Sequence, residues 1–232
     1  MTQTDATTRL PRAAGSVRRS LLAREPGWQF SLMLALDIIV LFIAIPALGA
    51  GDADRSVVVL LQFILAVVAI GLLAKSAWLR LILAASFALP LLARLLPGLL
   101  PQATTLTMVF AYNLLVTAAM ARAVFGPGEV NHHRIAGAIF IYLNLGLLFA
   151  VAYAGLQLAV PGAFSGLSEH ASHHASNLLH YSFSTMTAIG NSGITPQSPF
   201  AASLADLQTI AGQLFPAILL SRLVGLHVSR SR

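Results

Sequence analysis

The sequence predicts an all-α membrane protein: six transmembrane helices, with a re-entrant short helix and a polar loop between the fifth and sixth. Three observations carry this reading. The 232-residue chain is 57% hydrophobic and only 9% charged, with mean hydropathy +0.80, too little charge to keep a soluble domain dispersed. Six apolar runs approach or exceed the roughly 20 residues a spanning helix needs. The cations sort strongly to one side of the membrane once those runs are threaded through it.

In chain order, residues 1–27 form a polar, basic tail with no short apolar stretch ending in a small-residue cleavage site, so no cleaved signal peptide is expected. The apolar runs cover about 28–49, 56–74, 77–96, 104–124, 136–160 and 203–226. Gly49 to Asp54 makes a polar turn, Lys75-Ser76 a tight one, and Pro97 to Pro101 a proline-bounded bend. The longer connection Gly126 to Arg134 separates the first four runs (28–126) from the rest. With the N-terminus inside, Arg9, Arg12, Arg18, Arg19, Arg24, Lys75, Arg80, Arg122, Arg134, Arg222, Arg230 and Arg232 all face the cytoplasm. Only Arg55 and Arg94 face outward. This bias predicts a plasma (inner) membrane protein with both termini cytoplasmic. It also explains the formal charge of +6 without nucleic acid. The chain has no cysteine, which excludes disulfide scaffolds, thiolate metal sites and cysteine nucleophiles.

About forty residues lie between the fifth and sixth runs. They begin with a Gly-, Ser- and His-rich loop, Pro161 to Ser176. Asn177 to Met186 follows as a short amphipathic helix, with Ser176 or Asn177 as its expected N-cap. It is too short to cross a bilayer, so it is read as re-entrant. Next comes Thr187-Ala-Ile-Gly-Asn-Ser-Gly-Ile-Thr-Pro196. Irregular backbone at membrane depth survives only where protein or a water-filled cavity satisfies it, so such a loop is expected to line an aqueous path.

The order helix, half-helix, small polar loop, helix, from about His132 to His227, resembles the pore module of tetrameric bacterial potassium-type cation channels. Tyr181 to Gly190 looks like their pore helix and first half of the filter, Ile194-Thr-Pro196 like the I-T-P that follows it, and Gly212 to Gly225 like their inner helix. The resemblance implies a pore module over 127–232, a homotetramer around one axis, and passive transport of monovalent cations, K+ or Na+, with no cofactor and no enzymatic chemistry. Its filter would be Thr187, Ala188, Ile189, Gly190, Asn191 and Ser192, whose main-chain oxygens replace the hydration shell of the ion. The filter is degenerate. Against T-V-G-Y-G, Ala188 lacks the threonine hydroxyl, Asn191 is too short to brace the loop as the tyrosine does, and Ser192 replaces a glycine. A left-handed backbone at Ser192 would cost about 1–2 kcal/mol. The single-glycine segment also looks like the pore loops of Trk-type potassium transporters. The resemblance further places a gating hinge at Gly212 and Pro216.

Competing readings use the same residues. The loop could be a plain polar turn, or belong to a weakly selective or non-conducting membrane subunit. Gly190-Asn-Ser-Gly193 also matches the G-x-S-G of rhomboid-like intramembrane serine proteases. There a histidine must approach the serine to about 3 Å, whereas His227 falls a helix length of roughly 30 Å away. The fourth run holds one arginine, Arg122, where a voltage sensor repeats them. Asp37, within the first run, needs a partner, and Arg80 and Asn113 lie at compatible depths. His170, His173, His174 and His180 crowd the outer loop, either as a solvated stretch or as a site for zinc or protons.

Overall fold

The computed structural model describes residues 28–45, 84, 88, 92, 101–126, 132–168 and 174–230. The second expected span, the third apart from residues 84, 88 and 92, the basic tail, and the connection at 127–131 lie outside them. Five helices and one two-stranded pairing are described: α1 (Trp28–Ile39, continuing as a π turn over Val40–Ala44), α2 (Gln102–Phe125), α3 (His132–Ala159), β1 (Phe164–Ser165), α4 (His174–Met186), β2 (Thr195–Pro196) and α5 (Pro199–Arg230). Three of these helices, α2, α3 and α5, are long and apolar enough to cross a membrane, while Phe30–Ala44 forms a shorter apolar helix.

Local chemistry sets the boundaries. α2 opens after Pro101, held at φ −56°, whose carbonyl accepts from the Thr105 amide at 3.1 Å. It closes at Gly126, whose carbonyl accepts from the Arg134 guanidinium at 3.0 Å, and Arg122 in its last turn complements the helix dipole. α5 begins with Ser198 as N-cap and Pro199 as first helical residue. The Ser198 hydroxyl accepts from the Ala201 amide at 3.1 Å, and its carbonyl from the Ala202 amide at 3.0 Å. Pro216 lies inside α5 without ending it.

α3 is the central element, in contact with α1, α2, α4 and α5. In lipid, helices gain little by hiding apolar surface from one another, so close approach at small residues and interhelical hydrogen bonds decide how they pack. Gly137 of α3 is one such point: a Cβ there would press on Val124 of α2. Around it Met33, Val116, Met120, Val124, Ala138, Phe140 and Ile141 form one apolar cluster joining α1, α2 and α3. At the far end of α3 a second cluster gathers Tyr153, Ala163, Phe164, Leu178, Tyr181, Ile194, Ala201 and Ala205.

Asp37 corrects one expectation. It is buried, 1% exposed, against Asn144, 2% exposed, and the Asn144 amide donates to its carboxyl at 3.4 Å. Asn113 instead donates to the Val109 carbonyl of its own helix at 2.8 Å, and Arg80 lies outside the described residues. The Asn113 side chain is turned onto its own helix backbone rather than toward Asp37. The α1 helix widens to a π turn three residues after Asp37, with the Ile45 amide bonded to the Val40 carbonyl.

Candidate functional site

The site is built around α4 and the loop that leaves it. α4 starts at His174, so Ser176 and Asn177 lie within its first turn rather than capping it. At 13 residues it is about 20 Å long, short of a bilayer core. It is wedged between α3 and α5 by a chain of buried polar groups. The Ser182 hydroxyl donates to the Gly146 carbonyl of α3 at 2.6 Å. The Gln208 amide of α5 donates to the Ser182 carbonyl at 3.0 Å and contacts its hydroxyl at 2.6 Å. The Tyr153 hydroxyl of α3 donates to the Gln208 carbonyl oxygen. Tyr153, Ser182 and Gln208 are all 0% exposed, so these bonds form away from any competing solvent. Gly146 admits the Phe183 ring, which a Cβ there would overlap.

α4 ends in a Schellman motif. The Ala188 amide donates to the Thr185 carbonyl at 3.0 Å and the Ile189 amide to the Ser184 carbonyl at 2.9 Å, with the Gly190 amide also on Ser184 at 3.3 Å. The Thr187 amide bonds to the Phe183 carbonyl at 3.0 Å, as does its hydroxyl at 2.7 Å. This motif needs a left-handed residue after the cap, and Ala188 supplies it at φ +59°. The expected strain at Ser192 is therefore displaced: Ala188 is the left-handed non-glycine residue among those described, alongside Gly190 and Gly193, both at φ +70°. Ser192 instead closes a small turn, its hydroxyl accepting from the Ile194 amide at 3.3 Å.

Ala188→Gly removes a steric penalty of about 1–2 kcal/mol but adds freedom to the unfolded chain. The expected net result is up to about 1 kcal/mol of added stability. Thermal unfolding in detergent checks this, with Ala188→Val expected to melt lower than the parent.

The consequence for 187–190 is directional. Their amides are taken up by the end of α4, while no carbonyl oxygen from 187 through 192 accepts a hydrogen bond among the described residues. Thr187, Ala188, Ile189, Gly190 and Asn191 are exposed in the single chain, Ile189 to 72%. Exposed carbonyls can be met by water and become costly only where lipid or protein excludes it.

Set against known proteins, the chain matches no family model, no curated protein and no solved structure. The site's own geometry carries its reading.

The remaining candidates fall as follows. Gly212 packs directly on the end of α4. A Cβ on it would overlap the main-chain oxygen of Met186, the last residue of α4, so close packing of α5 on α4 by itself requires glycine. His174 bonds through its ring to the Ser168 carbonyl at 2.8 Å, and His180 is exposed on α4. His170 and His173 lie outside the described residues, and no group of three His, Asp or Glu side chains comes together among those described. Ser192 does not open a helix: α5 begins at Pro199 and carries position 227 about 42 Å further along its axis. Sequence reasoning missed Tyr153, Gly146, Ser182 and Gln208. An amide inside an apolar run was the available signal for Gln208, but its partners lie 26 and 55 residues away in the chain.

Proposed function

We propose that this chain is a passive cation channel, conducting potassium through a path that four copies build around a shared axis. Six spans with α4 re-entrant, both termini in the cytoplasm, and residence in the inner membrane complete the proposal. One observation carries it: residues 187–191 stand exposed at the end of α4, the amides of 187–190 occupied and no carbonyl of 187–191 accepting a hydrogen bond among the described residues. Free carbonyls offer a dehydrated cation the ligands it has lost, and the C-terminal end of α4 adds a favourable negative pole. The resemblance of Tyr181 to Gly190 and of Ile194-Thr-Pro196 to potassium-type pore loops agrees with this. The exposed apolar face of α5, including Leu207, Ile210, Leu214 and Ile218, is open to neighbouring copies and lipid.

A second reading rests on the Schellman motif. The same cap ends many ordinary helices, and the left-handed residue at Ala188 rather than Ser192 departs from a T-V-G-Y-G filter. A membrane subunit that does not conduct would show both features. Purified protein in proteoliposomes separates the two. Channel function predicts flux of K+ exceeding that of Na+, together with a tetrameric particle in detergent. A sealed vesicle or a monomeric particle overturns it.

A further inference from the structure

If residues 187–192 form a filter, something must hold its outer end, and Asn191 does not: it is exposed and makes no hydrogen bond among the described residues. Resting on the channel reading above, we infer that Gly166 is a positioning residue for that end, and that the outer loop around it, rather than a side chain of the filter, sets where the loop exits.

The loop 160–168 is bound to the segment after the filter from several directions. β1 pairs antiparallel with β2, Phe164 opposite Pro196 and Ser165 opposite Thr195. The Gln197 amide donates to the Ala163 carbonyl at 2.8 Å. The Ser165 and Thr195 hydroxyls meet at 2.6 Å, and the Gln197 side-chain amide donates to both, at 2.8 Å and 3.1 Å. The loop is in turn fixed to the scaffold. The Phe164 ring packs edge-on against Tyr153 of α3 at 5.2 Å and Tyr181 of α4 at 5.5 Å, and its amide donates to the Gln157 side chain at 3.0 Å. Within this clamp Gly166 lies directly on Gly193: a Cβ on Gly166 would overlap the Gly193 carbonyl oxygen and crowd the Ile194 Cα. Gly193 follows Ser192 and is itself left-handed. Its carbonyl is thus held toward the outer loop while the backbone before it stays free.

Gly162 supplies the control within the same loop. It is left-handed at φ +85°, as Gly166 is at +80°, yet a Cβ on it would meet nothing within 4 Å. Alanine at either position strains the backbone; only at 166 does it push Gly193. The clamp therefore predicts that Gly162→Ala lowers stability but keeps the parental K+/Na+ flux ratio in proteoliposomes. Gly166→Ala is expected to change that ratio about tenfold, the equivalent of about 1.4 kcal/mol of differential ion binding. Thr195→Val, which keeps the shape but removes the hydroxyl from the Ser165–Gln197 cluster, is expected to shift the ratio in the same direction by less.

A Gly166→Ala protein with the parental ratio, or a Gly162→Ala protein shifted as far as Gly166→Ala, overturns the inference. If Gly166→Ala fails to assemble, Thr195→Val decides in its place: a shifted ratio supports the clamp and an unchanged one overturns it. Should the parent carry no cation flux, the channel reading fails, and hydrogen exchange still tests the clamp. Faster exchange at the Gly190 and Ile194 amides in Gly166→Ala (or, where that variant does not assemble, in Thr195→Val) but not in Gly162→Ala supports it. Equal exchange in the variants and the parent removes it.

Discussion

Gln208→Leu is expected to lower the stability of the protein by roughly 2–4 kcal/mol. Three hydrogen bonds end on that one side chain, from Tyr153 and to the Ser182 carbonyl and hydroxyl. Interhelical hydrogen bonds in membrane proteins average about 0.6 kcal/mol each and reach about 1.7. Leucine fills the space but leaves the Tyr153 hydroxyl buried without its acceptor, which adds to the loss. Tyr153→Phe breaks one bond of the three and is expected to cost less. In the double variant the two losses should not add, because the Tyr153–Gln208 bond can be lost only once. Unfolding in detergent micelles, followed by circular dichroism, measures all three proteins. A Gln208→Leu chain that unfolds with the parent would show that the buried network contributes nothing net.

Gly212→Ala is expected to be nearly as damaging, at about 1–3 kcal/mol, the usual range for overpacking. The obstacle is the main-chain oxygen of Met186, so α5 and the end of α4 must separate, carrying the 187–190 loop with them. This outcome distinguishes packing from hinging. A hinge glycine replaced by alanine leaves a folded protein with altered opening, whereas a packing glycine replaced by alanine leaves a less stable one. Met186→Ala in the same chain provides the check. Truncating that side chain should not restore stability if the carbonyl is the obstacle, and recovery would place the obstacle in the methionine side chain instead.

Much of the architecture was legible before any coordinates. Hydropathy located the fourth, fifth and sixth runs, and α2, α3 and α5 match them to within about four residues at either end. Pro199 begins α5, because Ser198 caps it and a first-turn proline has no amide to lose. Asn177 to Met186 read as a short helix because its apolar residues recur at helical spacing, although its first turn reaches back to His174. Of the four histidines between 170 and 180, His174 bonds through its ring to the Ser168 carbonyl, a contact that closeness in sequence did not mark, while His170 and His173 lie outside the described residues.

What the chain by itself determined was therefore its class: apolar helices, the polar interruption at 187–196, and glycine at 190 and 193 where φ is positive. These are local properties, set by side-chain hydropathy and by the conformations each backbone allows. Only the tertiary structure decided that Asn144 faces Asp37, that Gln208 joins Tyr153 to Ser182, that Ala188 bears the left-handed turn, and that Gly166 and Gly212 each lie on another segment's carbonyl. Helices that are apolar nearly all round carry no strong marker of which face turns inward. Their rotation and depth are settled by a few polar pairs and close approaches between residues far apart in the chain, and those contacts exist only once the helices have packed.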